Sequence, residues 1–299
     1  MSTLHLPDPL PQLLEAYLRQ ALPAPVTLDP EVLAYRWQTR PTGGGELVAL
    51  HIASNLTLDD LLGIDTQKAK LVQNTRQYLA GLPANHVLMT GSRGAGKSSL
   101  IRALLNTFCH DGLRMIEVAR DDLVMLEPIR QAVIELGKRV PNHGCRYIVY
   151  CDDLAFNAQD ENYRTLKSIL DGALDSEQDQ LLVYATSNRR HLLPQLMKDN
   201  VSIYNGQTDE VNPYETIDET VSLSDRFGLW LTFHPMPQTQ YLAIVGHYLT
   251  RAGVTFDDAA QAAALTWAST RGGRSGRVAF QFSRHWIGQM RLAQADGAN

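Results

Sequence analysis

The residues with the sharpest chemical signature are Gly91, Ser92, Arg93, Gly94, Ala95, Gly96, Lys97 and Ser98, which fit the spacing G-x4-G-K-[ST]. Glycines there let backbone N–H groups close around anionic oxygens, and a helix opening at Ser99 would add the positive end of its dipole. In that arrangement Lys97 reaches the β- and γ-phosphates of a nucleotide, and the Ser98 hydroxyl takes one position on Mg2+. A second candidate pair, Asp152-Asp153, follows the apolar run Tyr147-Ile148-Val149-Tyr150-Cys151. At the end of a buried strand beside a phosphate loop, the first acid suits Mg2+ and the second suits polarising the water that attacks the γ-phosphate. The plainer alternative is a surface turn, where Asp-Asp is common.

Three further groups carry weaker signals. Asn188 ends the run Leu182-Val183-Tyr184-Ala185-Thr186-Ser187, where it suits either a hydrogen bond to the γ-phosphate or water, or a cap on a helix starting near His191. Arg226, in Ser224-Asp225-Arg226-Phe227-Gly228, is either a solvated charge or a finger that stabilises transition-state charge in a neighbouring subunit. Arg271, Arg274, Arg277, Arg284 and Arg291 fall between Asp258 and Asp296, a stretch without any Asp or Glu. They point at nucleotide phosphates, form a basic patch for nucleic acid, or line a solvated face.

Positioning these groups requires an α/β scaffold. Apolar runs at Val87–Met89, Arg114–Ala119, Arg146–Cys151, Leu181–Ala185 and Leu229–Phe233 predict five strands. Helical spacing predicts helices from Ser99, over Thr66–Leu79 with Asp65 as N-cap, over Pro128–Arg139 and over Glu161–Leu174. Alternating strands and helices imply a parallel sheet covered on both faces, with ligands at the carboxyl ends of its strands. Three closing helices, near Gln238–Arg251, Asp257–Ser269 and Ser275–Leu292, predict a smaller helical subdomain. Residues 1–57, punctuated by prolines, are expected to be a short, mainly helical accessory region with a helix over Gln12–Ala21 and a strand near Leu47–Ile52. Val201–Thr220 predicts a loop insertion. The expected division is therefore 1–57, 58–235 and 236–299.

Composition bounds the rest. The 299 residues, 44% hydrophobic and 20% charged, suit a soluble globular protein. No apolar run reaches membrane-spanning length and no secretion-signal layout opens the chain, so a cytoplasmic location without membrane partners is expected. Cys109, Cys145 and Cys151 lack C-x-x-C spacing, which argues against disulfides or zinc. A net charge of −5 argues against a protein that coats nucleic acid over its whole surface, although not against a local basic patch.

Together these residues resemble the AAA+ ATPases, over roughly Leu58 to Leu292. Leu62-Gly63-Ile64-Asp65 looks like the box lining the adenine pocket, with Gly63 and Ile64 as nucleotide contacts. Gly91–Ser98 looks like Walker A and Asp152-Asp153 like Walker B. Asn188 matches sensor 1, Arg226 the arginine finger, and Arg277 the sensor 2 arginine, with Arg274 as second candidate. Pro83–Leu88 and Ser222–Leu229 are similar to a bacterial AAA+ family of unknown function, predicted to bind ATP. The Asp-Arg-Phe segment is similar to the initiator and helicase-loader clade.

The resemblance implies a five-stranded parallel core with a helical lid, ATP and Mg2+ as ligands, a nucleotide-dependent homo-oligomer, and hydrolysis coupled to remodelling of a client that no motif identifies. DNA binding through the arginine-rich lid is a further implication. One departure matters: Asp153 stands where most AAA+ ATPases have Glu. Its carboxylate is set back by over ~1 Å, a displacement that can cost about a hundredfold in rate. A slow, ATP-gated loader or adaptor is therefore the second reading. A small-molecule kinase is disfavoured by the candidate finger and the paired acids.

Overall fold

Val87, Leu88 and Met89 have no exposed surface, as an interior strand of a sheet covered on both faces demands. The computed structural model describes residues 9–10, 12–13, 26–40, 44–52, 55–156, 161–170, 181–188 and 225–296. In chain order the elements are β1 (Ala34–Thr39), β2 (Gly45–Ala49), α1 (Asp65–Leu79), β3 (Val87–Gly91), α2 (Lys97–Phe108), β4 (Leu113–Glu117), α3 (Leu126–Arg139), β5 (Arg146–Cys151), α4 (Glu161–Leu170), β6 (Leu181–Ser187), β7 (Leu229–Phe233), α5 (Gln238–Arg251), α6 (Asp258–Thr270) and α7 (Gly276–Asp296). The sheet has seven strands, ordered β2-β1-β4-β5-β6-β3-β7.

The five expected strands lie side by side and parallel, with β3 between β6 and β7 and β5 between β4 and β6. The expected count of five is corrected by an N-terminal hairpin: β1 joins the β4 edge in parallel and β2 pairs antiparallel to β1. Among the described residues from 26 to 56 the regular elements are these two strands, β2 overlapping the one expected near Leu47–Ile52, so the mainly helical reading does not hold there. The cause is period-two burial in Ala34–Thr39, where Tyr35 and Trp37 face the core and Arg36 and Gln38 face out. Gly45 is required opposite, since a Cβ there would lie 2.5 Å from the Trp37 ring.

Helices cover both faces. On one, Ile129, Val133 and Leu136 of α3 and Leu166 of α4 pack with Tyr35, Trp37 and Val149. On the other, Leu71 and Tyr78 of α1 and Leu100, Ile101 and Leu104 of α2 pack with Val87, Met89 and Tyr184. Helices α5 to α7 have their own core, in which Ala260, Ala264 and Ala268, one turn apart on α6, meet Tyr241, Val245, Leu249 and Phe282. Asp65 does not cap α1; Ile64 takes that position and Asp65 pairs with Lys68 at 3.2 Å instead. Asp257 does cap α6, accepting from the Ala260 N–H at 2.8 Å. Most of the Gln12–Ala21 helix, the end of the Glu161–Leu174 helix, the start near His191 and the Val201–Thr220 loop lie outside the described residues.

A buried acid joins the two regions. Asp60, 5% exposed in the turn before α1, accepts from the Thr57 N–H at 2.9 Å, contacts His247 Nε2 at 3.1 Å and takes a short ion pair from Arg251, both on α5. Burial alone would raise its pKa, but these hydrogen bonds outweigh it and hold the carboxyl well below its ordinary 3.8. Asp60→Ala should therefore cost about 2 kcal/mol in chemical denaturation at neutral pH. A depressed folded pKa stabilises above the unfolded value, and that stabilisation is lost as pH falls through the folded one. The gap between wild type and variant should thus close below about pH 4.

Candidate nucleotide site

Strand β3 ends at Gly91, whose backbone (φ +135°) runs so close to β7 that a Cβ would lie 1.9 Å from the Phe233 carbonyl. This contact pins the start of the loop to the sheet. The loop closes at Gly96, left-handed at φ +100°, which starts α2 at Lys97. Ile64, buried beside the entry to α1, has its Cδ1 3.5 Å from where a Gly96 Cβ would stand. Ala95 and Ser99 complete the loop and the first helical turn.

Lys97 is folded back into this loop. It is only 6% exposed and donates to the carbonyls of Gly91 (2.5 Å) and Ser92 (2.9 Å) and to Asn188 Oδ1 (3.0 Å). Burial pushes its pKa below the ordinary lysine value, against the pull of Asp152 and Asp153. The other end of the Asn188 amide donates to Asp153 Oδ1 at 2.6 Å, so one side chain links the lysine to the second acid. Ser98 Oγ donates to Asp152 Oδ1 at 3.1 Å. Arg93 lies 3.6 Å from Asp153 Oδ2, an exposed pair that is easily exchanged for a stronger anion. Gly91, Lys97, Ser98, Asp152, Asp153 and Asn188 thus converge at the carboxyl ends of β3, β5 and β6.

Asp152 would be raised by its burial, but hydrogen bonds, Thr186 and Ser98 among them, keep it below the usual carboxylate range and hence anionic. Two oxygens so placed, one hydroxyl and one carboxylate, fit the hard-oxygen preference of Mg2+. Thr186 is the residue that sequence reasoning missed. Its Oγ1 donates to Asp152 (2.5 Å) and accepts from the Asp153 N–H (2.9 Å), fixing the turn that carries both acids. The available signal was parallel register: Cys151 pairs with Ala185, which places Thr186 beside Asp152.

The same turn accounts for the Asp-for-Glu departure. Asp153 is left-handed at φ +54°, a conformation that short polar side chains tolerate best. An Asp here keeps the turn relaxed at the expense of reach.

The remaining candidates surround this cluster. Gly63 (φ +73°) presses on α5, where a Cβ would meet the Gln240 side chain at 2.2 Å. The loop before α7 sits directly on Gly94: the Gly276 N–H donates to the Gly94 carbonyl at 2.9 Å, and Ser275 caps α7 through the Val278 N–H at 3.2 Å. A cavity of about 710 Å3 opens between the two loops, lined by Ser92, Arg93, Gly94, Arg271, Arg274 and Arg277 among others. Both sensor 2 candidates therefore face the phosphate loop. Arg226 does not join them. It precedes β7, whose Leu229 pairs with Val87 and whose Phe233 pairs with Gly91, so it lies roughly 15 Å or more from the loop of its own chain.

Comparison with known proteins bears on the family and the fold. Residues 30–290 match the family described as Protein of unknown function (DUF815). The chain belongs to that family. No curated protein matches it in sequence. Among solved structures it is similar to the Holliday junction branch migration motor RuvB of Thermotoga maritima, at 16% identity and a TM-score of 0.50, over 82% of this chain and 68% of that one. A threonine-to-valine variant of Thermotoga maritima RuvB matches at 14% identity and a TM-score of 0.51, again over 82% and 68%. The DUF815 chain thus has the AAA+ fold. No helix among its described residues is long and apolar enough to cross a membrane.

Proposed function

We propose that this protein binds Mg-ATP on Gly91–Ser98 and hydrolyses it at a site completed by a neighbouring copy. The observation that carries the reading is the chain Lys97–Asn188–Asp153 beside Ser98–Asp152, all at one end of the parallel sheet. Lys97 would exchange its loop carbonyls for the β- and γ-phosphates. Ser98 and Asp152 would hold Mg2+, which when bound supplies Lewis-acid charge on the phosphate oxygens. Asp153 polarises the attacking water and Asn188 orients it. Ile64 and Gly63 line the base, Arg277 or Arg274 meets the γ-phosphate from residues 236–299 acting as a lid, and Arg226 serves the adjacent subunit. Residues 58–235 are then the nucleotide-binding domain and 1–57 an accessory region whose hairpin extends its sheet.

A second reading, a slow ATP-gated module, is favoured by the contacts that Lys97, Asp153 and Gly94 already make. Each must be exchanged before turnover, and the recessed Asp153 slows the step that follows.

Asp153→Asn tests the chemical step. Asn tolerates the same left-handed turn, so folding and ATP affinity should hold while steady-state phosphate release falls at least about a hundredfold. Unchanged turnover in a variant that melts like wild type would remove Asp153 from the chemistry.

A further inference from the structure

Many of the arginines in this molecule are engaged by acids. Arg36, Arg40, Arg93, Arg120, Arg130 and Arg251 each pair with a carboxylate, on Glu117, Glu46, Asp153, Asp121, Glu127 and Asp60 respectively. Among the described residues, Arg277, Arg284 and Arg291 make no hydrogen bond or ion pair, and no acid lies near them in sequence between Asp258 and Asp296. All three are exposed on α7 at intervals of seven residues. Two helical turns separate each from the next, so they stand in a row at about 10.5 Å spacing on one face.

Phe280 stands in the same row. It is 45% exposed and is held upright by Tyr248 edge-on at 5.3 Å and by the Arg284 guanidinium at 5.9 Å. The opposite side of α7 is committed to the bundle core through Val278, Ala279, Phe282 and Ser283. At the flank, Arg271 lies 3.8 Å over the Trp267 ring, and His285 stacks on the same indole at 4.8 Å. In a chain of net charge −5, the exposed arginines of α7 thus stand beside aromatic rings, with no acid close to them in sequence.

We infer that the exposed face of α7 binds the backbone of single-stranded nucleic acid, with Arg284 and Arg291 on phosphates and Phe280 stacking on a base. Charge complementarity selects a polyanion. The exposed ring selects unpaired bases, since every base offers a π-face and a duplex hides it. An acidic face of a second copy would satisfy the arginines but leaves the upright Phe280 without use.

The test is fluorescence anisotropy of a labelled 20-nucleotide DNA single strand with the full chain, titrated at several salt concentrations. Wild type should bind at about 50 mM salt, with affinity falling as salt rises. Arg284→Gln with Arg291→Gln should weaken binding at least tenfold and lower the log–log salt slope by about 1.4, at about 0.7 per lost phosphate contact. Phe280→Ala should weaken it about tenfold with little change in slope. Binding of a fluorescent ATP analogue to the same variants should be unaffected, so failure here is separable from failure of the nucleotide assignment. The inference is overturned if wild type does not bind at low salt, or if the double variant binds like wild type. It is equally overturned if the double variant keeps DNA but loses self-association in sedimentation, which would make the row a subunit contact.

Discussion

Lys97→Ala should abolish Mg-ATP binding, weakening it by two orders of magnitude or more in a calorimetric titration, about 3 kcal/mol. The size of the effect follows from burial. The ammonium is largely removed from water and satisfied by two loop carbonyls and Asn188, all neutral partners. Desolvation already depresses its pKa, so the site holds a cation that is under-compensated until a polyphosphate arrives. That state has a signature in pH. Between the depressed folded pKa and 10.5 the unfolded chain binds more protons than the native one, so the nucleotide-free protein gains stability as pH rises through this window. Bound phosphate restores the lysine's proton, so ATP affinity should fall over the same window. A variant with unchanged affinity, or affinity flat across it, would mean that Lys97 does not meet the phosphates.

Arg226→Ala should leave ATP binding intact and reduce turnover by about 10^3-fold to 10^5-fold in the assembled protein. Its place in the fold makes the expectation sharp. Arg226 lies at the amino-terminal end of β7 while the phosphate loop lies at the carboxyl end of β3, so any role in catalysis must be exerted on another copy. Turnover should then depend on protein concentration in wild type, rising as copies associate. Turnover per chain that is independent of concentration, with Arg226→Ala equal to wild type, would confine the site to a single chain.

The sequence made the central site legible because its chemistry is local. Gly91–Ser98 is contiguous, and Asp152 and Asn188 each end an apolar run that could only be a buried strand. What escaped was set by register and backbone angle. Thr186 acts across the β5–β6 pairing, and the value of Asp over Glu at position 153 depends on a φ of +54° that no spacing reveals. Strand β2 overlaps the strand expected near Leu47–Ile52, but β1 escaped because Tyr35 and Trp37 sit among prolines and charges, and their alternation spans barely one strand. The pairing of Asp60 with Arg251 joins residues 191 positions apart, a separation beyond any sequence motif.

The central claim is that ATP is hydrolysed on Gly91–Ser98 with an arginine from the next subunit. Mixing two inactive variants tests it most directly. In an equimolar mixture, the Arg226→Ala chain supplies an intact phosphate loop with Asp153, and the Asp153→Asn chain supplies an intact Arg226. Steady-state phosphate release should reappear in the mixture although neither variant turns over alone. A mixture as inactive as its two components, under conditions where wild type assembles and hydrolyses ATP, would contradict a shared site.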